Sequence, residues 1–147
     1  MEFSGPPVPP LGPSRGGFTT KVYAVVDALG NGVHLDLTPG QQADCLLVPD
    51  LLAALPQEPG KVVADKAYDT SAVLQSIAAH QAEQVIPPKS NRKVPRDYDE
   101  NLYDDRNKIE RFFSRLKQSR AFATRYDKTA LSFLAVAHIV VALDWLR

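Results

Sequence analysis

Cysteine is scarce in this chain, since only one of the 147 residues, Cys45, is a cysteine. A single thiol excludes a disulfide within the chain and a cysteine-rich zinc site, and such usage is typical of a reducing compartment. The 3 histidines of the chain also lack the short spacing by which paired histidines bind zinc. The sequence therefore predicts an intracellular protein, and we expect it in the cytoplasm.

Net charge is lacking too, because 17 lysines and arginines balance 17 aspartates and glutamates. The bases are nevertheless concentrated: residues 106 to 128 hold eight basic side chains and only two acidic ones, Glu110 and Asp127. Such a local excess suits a surface that meets a phosphate backbone, although a solvated charge cluster is the common alternative. The distribution of charge, and not its sum, therefore favours a polyanionic partner.

A hydrophobic run of about 20 residues, long enough to span a membrane, is missing as well. The most apolar stretch, residues 129 to 146, is interrupted by polar residues, so it predicts a buried core helix. Residues 1 to 15 are rich in proline and lack the basic and apolar segments of a secretory signal. We therefore expect a flexible tail at 1–15, one domain at 16–147 and no membrane association.

Hydrophobic patterning predicts an α/β fold whose elements follow in the order β-β-α-β-α-β. Alternating apolar residues around the turn sequence Leu29-Gly30-Asn31-Gly32 favour an antiparallel hairpin. Two short apolar runs indicate strands buried on both faces, and the first of them leads into Asp65. The predicted strands are 19–28, 33–37, 61–64 and 84–87. The predicted helix caps are Asp44 and either Thr70 or Ser71. Residues 88–98 are predicted to form a basic loop.

The stretch from 103 to 117 is predicted to be helical and has the most informative spacing in the chain. On an ideal helix four of its polar residues fall on one narrow stripe, namely Tyr103, Arg106, Glu110 and Lys117. The neighbouring apolar stripe comprises Ile109, Phe112, Phe113 and Leu116, and the outward side carries Lys108, Arg111 and Arg115. From spacing alone, a surface helix with an ordinary Arg106–Glu110 salt bridge explains the polar stripe equally well.

The order Tyr, two residues, Arg, three residues, Glu, six residues, Lys resembles a signature of bacterial insertion-sequence transposases of the Asp-Asp-Glu (DDE) class. Further segments are similar to blocks of that family in the same order, namely 16–21, 38–41 with Asp44, 64–69, 87–93 and 125–128. The resemblance implies a ribonuclease-H-like mixed sheet flanked by helices. It also implies DNA transposition through metal-dependent cleavage and transfer of DNA strands, with transposon ends and target DNA as partners.

The resemblance assigns roles to individual residues as well. It implies that Asp65 and Glu110 are catalytic carboxylates that bind Mg²⁺ or Mn²⁺. The DNA-binding residues expected from the polar stripe and from the outward bases are Tyr103, Arg106, Lys117, Arg111 and Arg115. Without the resemblance Asp65 would be interpreted as a turn or capping residue, and Asp69 would be the better candidate for the cap.

The chain departs from the family at the first catalytic Asp. In the family that residue lies on a strand upstream of the Gly16-Gly17 block, and the residues before this block contain neither Asp nor a strand pattern. We therefore expect a carboxyl-terminal part that lacks the first strand and is inactive alone. An upstream transposase polypeptide would supply the first Asp, and the unpaired neighbouring strand would favour a homo-oligomer.

Two alternatives remain open at this point. Asp27 ends a predicted strand and is a candidate replacement for the first Asp, although only one further strand separates it from the next helix. The alternative function is a non-catalytic DNA-binding or regulatory fragment, in which the basic helix engages DNA and nothing is cut.

Overall fold

The structure is a computed structural model that describes residues 12–14, 17–39, 43–120, 122 and 130–147. The first part of the predicted tail, residues 1 to 11, and the family-like segment 125–128 lie outside these residues. The strands in the described part are β1 (Gly12–Ser14), β2 (Gly17–Val26), β3 (Gly32–Pro39), β4 (Lys61–Val63) and β5 (Glu83–Val85). The helices are α1 (Val48–Ala53), α2 (Ser71–Ala79), α3 (Glu100–Tyr103), α4 (Asn107–Gln118) and α5 (Ala130–Trp145). The predicted α/β class is confirmed.

The predicted hairpin is present as β2 and β3, with Val22 opposite Leu37 and Ala24 opposite Leu35. A bulge shifts the register between Val25 and Val26, just before the turn. At the turn, Gly30 has a φ of 88°, a conformation that favours glycine. β1 pairs antiparallel with the first residues of β2, so the end of the predicted tail is part of this sheet.

The first core lies between this hairpin and two helices. Phe112 and Leu116 of α4 are fully buried and cluster with Leu35 of β3 and with Ala137 and Val141 of α5. The apolar stripe predicted for α4 therefore faces the sheet, as its 3.6-residue period indicates. We call this unit of β2, β3, α4 and α5 the hairpin layer.

The helix α5 corrects one prediction, because it is buried on one side only. Its inner residues, among them Ala137, pack in the first core, whereas Ile139 and Leu143 are 61% and 58% exposed. The stretch 129–146, whose polar residues include Asp144, was expected to be a buried core helix, but the hairpin offers α5 only one apolar face to pack on. Within the described ranges, no helix combines the length and the apolar composition that crossing a membrane requires.

A second core lies around the parallel pair β4 and β5. Leu52 of α1, Val73 and Ile77 of α2, and Ile86 form its buried cluster, and Thr70 Oγ1 caps α2 by accepting a hydrogen bond from Val73 N. The predicted cap of α2 is therefore Thr70. We call this unit of β4, β5, α1 and α2 the parallel layer.

Two predictions about the parallel layer are wrong. The strand β4 is not buried on both faces, since Lys61 is exposed and Val62 and Val63 are only half-buried. Asp44 does not cap a helix, because its Oδ1 accepts hydrogen bonds from Lys21 Nζ at 2.7 Å and Tyr23 Oη at 2.6 Å. Instead of serving its own helix, Asp44 ties the chain before α1 to β2.

The strands form two sheets rather than the single mixed sheet that was expected: β1-β2-β3 and β4-β5. The physical reason is that, in the part of the chain described, no strand bridges β2 and β4.

Candidate functional site

An open cavity of about 980 Å³ separates β2 from β4. It is lined by every residue from 21 to 28 and every residue from 61 to 65. Because successive side chains of a strand point to opposite faces, a lining of consecutive residues means that the cavity runs along the strand edges. Within the described residues, this edge of β2 pairs only at its first residues with β1, and β4 pairs only with β5. We call this cavity the edge groove.

The carboxyl end of β4 lies beside the middle of β2. Tyr68, just beyond the carboxyl end of β4, is within electrostatic reach of Tyr23 and Asp44. Asp44 in turn accepts hydrogen bonds from Lys21 and Tyr23, two residues in the middle of β2. An added strand in the groove could pair with the open edge of either strand.

Asp65 lies where the sequence predicts it, directly after β4, and it lines the edge groove. Its Oδ1 accepts a hydrogen bond of 2.6 Å from Ala67 N and so caps the 3-10 turn Lys66–Tyr68. The capping interpretation of Asp65 is thus observed, and it leaves the second carboxylate oxygen without a described protein partner.

Asp69 is not a cap, and its actual role was missed. Its side chain is fully buried, and its carboxylate accepts hydrogen bonds from Arg92 Nε at 2.8 Å, Arg96 Nη2 at 3.0 Å and Lys89 N at 2.8 Å. Hydrogen bonds from Arg92 are the main cause that lowers the pKa of Asp69, against the opposing effect of burial. This cluster fastens the basic loop 88–98 to the turn after Asp65. Loop arginines look alike in a sequence, so no local pattern could have identified it.

Three residues of the predicted polar stripe contact one another, although the helix is interrupted: Tyr103 ends α3 and Arg106 ends a 3-10 turn before α4. The Arg106 guanidinium carbon lies 5.7 Å from the centroid of the Tyr103 ring, and Arg106 Nη1 lies 2.7 Å from Glu110 Oε1. The side chain of Glu110 is 59% exposed, and Lys117 is exposed in the last turn of α4. The ordinary i,i+4 salt bridge weighed as an alternative is therefore present in this structure.

The structure does not bring Asp65 and Glu110 into described contact. Arg106 lines the edge groove with Asp65, but Glu110 is not one of the lining residues. The helix α4 contacts the hairpin at its turn, where Arg115 Nη2 donates to Gly30 O at 2.7 Å. The hairpin turn lies at the carboxyl end of β2, whereas the turn that Asp65 caps lies beside the middle of β2.

The two outward arginines differ from each other. Arg115 does not face solvent freely, because its Nε lies 2.9 and 3.1 Å from the carboxylate oxygens of Asp144 on α5. This corrects its predicted outward position, since residues on α5 and at the hairpin turn occupy its donors. Arg111 is exposed and has no partner among the described residues.

The carboxylate of Asp27 is engaged in hydrogen bonds within the hairpin turn. Its Oδ1 accepts hydrogen bonds of 2.9 Å from Leu29 N and Asn31 N. Burial opposes the ionisation of Asp27. The hydrogen bonds from the backbone and side chain of Asn31 and from Leu29 N outweigh this effect and lower the pKa of Asp27. The carboxylate of Asp27 therefore holds the hairpin turn.

The described residues include no group of three or more His, Cys, Asp or Glu side chains that could hold a metal ion. A pair of hard cations for phosphodiester chemistry needs several carboxylates in one place. By this criterion the acidic residues in the described part of the chain do not form a metal centre by themselves. Asp65 lies at an open strand edge and has one carboxylate oxygen without a described partner. The carboxylate of Glu110 is paired with Arg106.

Comparison with known protein families gives a match over nearly the whole chain. Residues 12–145 match a family described as the transposase DDE domain. A Brucella ovis protein named as a transposase for insertion sequence element IS6501 is 38% identical over 130 residues, which cover 88% of this chain and 99% of that protein.

A Neisseria meningitidis serogroup B protein, named as the transposase for insertion sequence element IS1106, is 30% identical over 110 residues. These cover 74% of this chain but only 36% of the Neisseria protein, so the chain spans about a third of that relative. The family match and the Brucella relative agree with the signature in residues 103–117. The chain therefore belongs to the DDE transposase domain family of bacterial insertion sequences.

Proposed function

We propose that this chain is the carboxyl-terminal part of a transposase catalytic domain that cleaves and transfers DNA strands with Mg²⁺ or Mn²⁺, and that it is inactive until a further strand fills the edge groove. The observation that carries the proposal is the groove itself, which is lined by Asp65 and lies between the edges of β4 and of β2 beyond its first residues, neither of which is paired there within the described ranges. The family generally uses divalent metal ions and acts on DNA. In a cell this work would take place in the cytoplasm, where the DNA is.

The occupant of the groove would be an extended segment of an upstream transposase polypeptide. We propose that this segment runs parallel to β4, because a strand parallel to β4 ends on the same side as β4, and so beside Asp65. An Asp at its carboxyl end would then add a carboxylate to Asp65. Pairing with both edges would also fix the hairpin layer against the parallel layer, which is the step that would bring Glu110 of α4 into the same site.

The DNA-facing residues would bind phosphates through their own side chains. Lys117 and Arg111 are exposed on α4 and would neutralise phosphates, while Tyr103 holds the Arg106 guanidinium over its ring. Arg106 is shared between Glu110 and the mouth of the groove. A phosphate that binds Arg106 would compete with Glu110 for this guanidinium and so release the carboxylate.

A cleavage assay tests the catalytic proposal. The purified chain is incubated with Mg²⁺ or Mn²⁺ and DNA that carries the element's ends, alone and with the upstream segment, added as a fusion or as a separate polypeptide. We expect nicking or strand transfer only with the segment, and loss of it in Asp65→Asn and in Glu110→Gln.

Two outcomes would change the proposal. Cleavage by the chain alone that disappears in Asp27→Asn would make Asp27 the first catalytic carboxylate. DNA binding without cleavage in any combination would favour a regulatory DNA-binding fragment.

A matched pair of arginine variants tests the DNA-binding face. For duplex DNA, we expect Arg111→Ala to make the slope of log affinity against log salt less steep by about 0.9, which corresponds to one phosphate contact, and to leave stability unchanged. Arg115→Ala is the control, because it strips Asp144 of its partner and should lower stability instead. An unchanged slope in Arg111→Ala would mean that Arg111 is merely solvated.

A further inference from the structure

The basic loop 88–98 is held against the turn that follows Asp65. Asp69 binds Arg92 and Arg96 of this loop, and its side chain is fully buried. Because two guanidinium groups meet one carboxylate, this ion cluster keeps one net positive charge. Asp69 lies four residues after Asp65, and its backbone N–H closes the intervening 3-10 turn. The loop is therefore fastened to the turn that Asp65 caps.

The end of the loop contacts the polar stripe. The Tyr98 ring meets the Tyr103 ring edge-on, with the ring centroids 5.7 Å apart and an angle of 82° between the ring planes. The Arg106 guanidinium lies over the same Tyr103 ring and is paired with Glu110. The loop therefore leads from the turn beside Asp65 to Arg106, which is from one half of the proposed site to the other.

Three lysines along this path have ammonium groups that are not bound by the protein. Lys66 follows Asp65 directly, and Lys89 and Lys93 belong to the loop. Lys66 and Lys93 are exposed, Lys89 is half-buried, and none of the three ammonium groups has a partner among the described residues. We call these three residues the lysine surface.

Lys89 lines an open cavity of about 280 Å³ between the loop and the ion cluster. The other lining residues are polar or charged, namely Asp69, Thr70, Ser71, Asn91 and Arg92. Both carboxylate oxygens of Asp69 already accept hydrogen bonds from the loop, so the charge left at the cavity is positive. Exposed lysines are ordinarily only solvated, but here the buried cluster fixes the backbone that carries Lys89 and Lys93. A cavity of this sign, beside fixed lysines, fits a phosphate group.

We propose that the DNA strand on which the proposed site acts crosses the loop 88–98, and that the lysine surface binds its phosphates. This path presupposes the proposed function, in which the polyanion is DNA. Lysine contacts to phosphates carry no sequence information, but they fix the register and orientation of a bound strand. A strand held by the lysine surface passes Asp65 and reaches Arg106, whose guanidinium is shared with Glu110. The lysine surface is separate from Arg111 of α4.

The salt dependence of DNA binding by the full chain tests the lysine surface. Fluorescence anisotropy gives the affinity for duplex DNA between about 50 and 200 mM salt. In the triple variant Lys66→Gln, Lys89→Gln, Lys93→Gln, we expect the slope of log affinity against log salt to be less steep by about 2.7, which corresponds to three phosphate contacts. Lys61→Gln is the matched control and should leave the slope unchanged, because Lys61 is exposed but paired with Glu83 at the amino end of β4. Urea unfolding of each variant shows whether the fold has been retained.

A combined variant tests whether the loop and α4 bind different phosphates. Adding Arg111→Ala to the triple lysine variant should make the slope less steep by about a further 0.9, because separate contacts add. A combined variant with the slope of the triple variant would mean that the two surfaces share their phosphates, and it would overturn the separate path.

Three outcomes would overturn the role of the lysine surface: no DNA binding by the unaltered chain, an unchanged slope in the triple variant, or a change of about 0.9 in Lys61→Gln. The cleavage assay separates this role from the catalytic proposal. Cleavage with the upstream segment, together with an unchanged slope in the triple variant, would refute the lysine surface alone. A less steep slope in the triple variant, without cleavage in any combination, would refute the catalytic proposal alone.

Discussion

The hairpin layer and the parallel layer are similar in their parts but differ in what stabilises them. The hairpin layer has strands of 10 and 8 residues, and its core is apolar, with Phe112 and Leu116 fully buried. The parallel layer has strands of 3 residues each, and beside its small apolar core it holds a buried carboxylate bound by two arginines. Short strands provide few hydrogen bonds between strands. We therefore expect the ion pairs of Asp69 with Arg92 and Arg96 to contribute much of the stability of the parallel layer.

This difference matters for function because the two carboxylates of the proposed site belong to different layers. Asp65 lies in the parallel layer, and Glu110 lies on α4 of the hairpin layer. Across the edge groove the described links are few, and the best defined is the contact of Asp44 with Lys21 and Tyr23. Because each layer has its own core, a segment that binds in the edge groove could bring the two halves of the site together.

The largest effect is expected where the parallel layer depends on charge. Replacing Asp69 with Asn leaves Arg92 and Arg96 facing each other without their shared carboxylate, so we expect a loss of about 3 kcal/mol in the free energy of unfolding. Urea denaturation measures it. Asp65→Asn is the control, because it removes only a 3-10 cap and should cost about 1 kcal/mol or less. Equal losses in the two variants would contradict the role assigned to Asp69.

The same cluster predicts how stability depends on acid. The pKa of Asp69 is lowered in the folded chain, so its contribution is fully present above the ordinary carboxyl pKa of about 3.9. It is lost as the pH falls below that value and through the lowered pKa. Unfolding free energies measured between neutral pH and pH 3 should therefore fall less steeply in Asp69→Asn than in the unaltered chain.

A smaller effect is expected from packing in the hairpin layer. A Cβ at Gly32 would lie 2.7 Å from Cε2 of Phe112 and 2.9 Å from Cγ1 of Val141, both in the core. Gly32→Ala should therefore cost about 2 kcal/mol through overpacking. Gly60→Ala is the matched control, since nothing lies within 4 Å of its added methyl group. A Gly32→Ala chain that unfolds at the control's urea concentration would show that α4 moves away easily.

The smallest effect concerns the link between the layers. Burial, and then the hydrogen bond to Asp44, raise the pKa of Tyr23 to about 12. Tyr23→Phe should cost about 1 kcal/mol at neutral pH, where that bond is made. Because the raised pKa favours the neutral phenol, the contribution is complete below the ordinary value of about 10 and disappears as the pH rises toward 12.

An alkaline titration followed by ultraviolet absorbance checks this value. Burial also raises the pKa of Tyr68 to about 12, so the Tyr23 signal is the difference between the unaltered chain and Tyr23→Phe. A Tyr23 that ionises near pH 10 would mean that the contact with Asp44 is not kept in solution.

Local pattern alone predicted several features of this chain. The alternation around Leu29-Gly30-Asn31-Gly32 predicted the hairpin, and Thr70 was a predicted cap. The 3.6-residue period placed Phe112 and Leu116 in the core and the polar stripe beside them. These features follow from residues a few positions apart, and the chain's own stereochemistry relates such residues in the same way in any fold. The signature in residues 103–117 likewise identified the family, because it depends only on the spacing of neighbouring residues along the chain.

The partner of each charged side chain depends on the tertiary fold. Asp69 binds Arg92 across 23 positions, Asp44 binds Lys21 across 23, and Arg115 binds Asp144 across 29. An acidic or basic residue looks the same in the sequence whether it caps a turn, is buried in an ion cluster or faces DNA. The edge groove has the same origin, because an unpaired strand edge is a property of which strands meet in space.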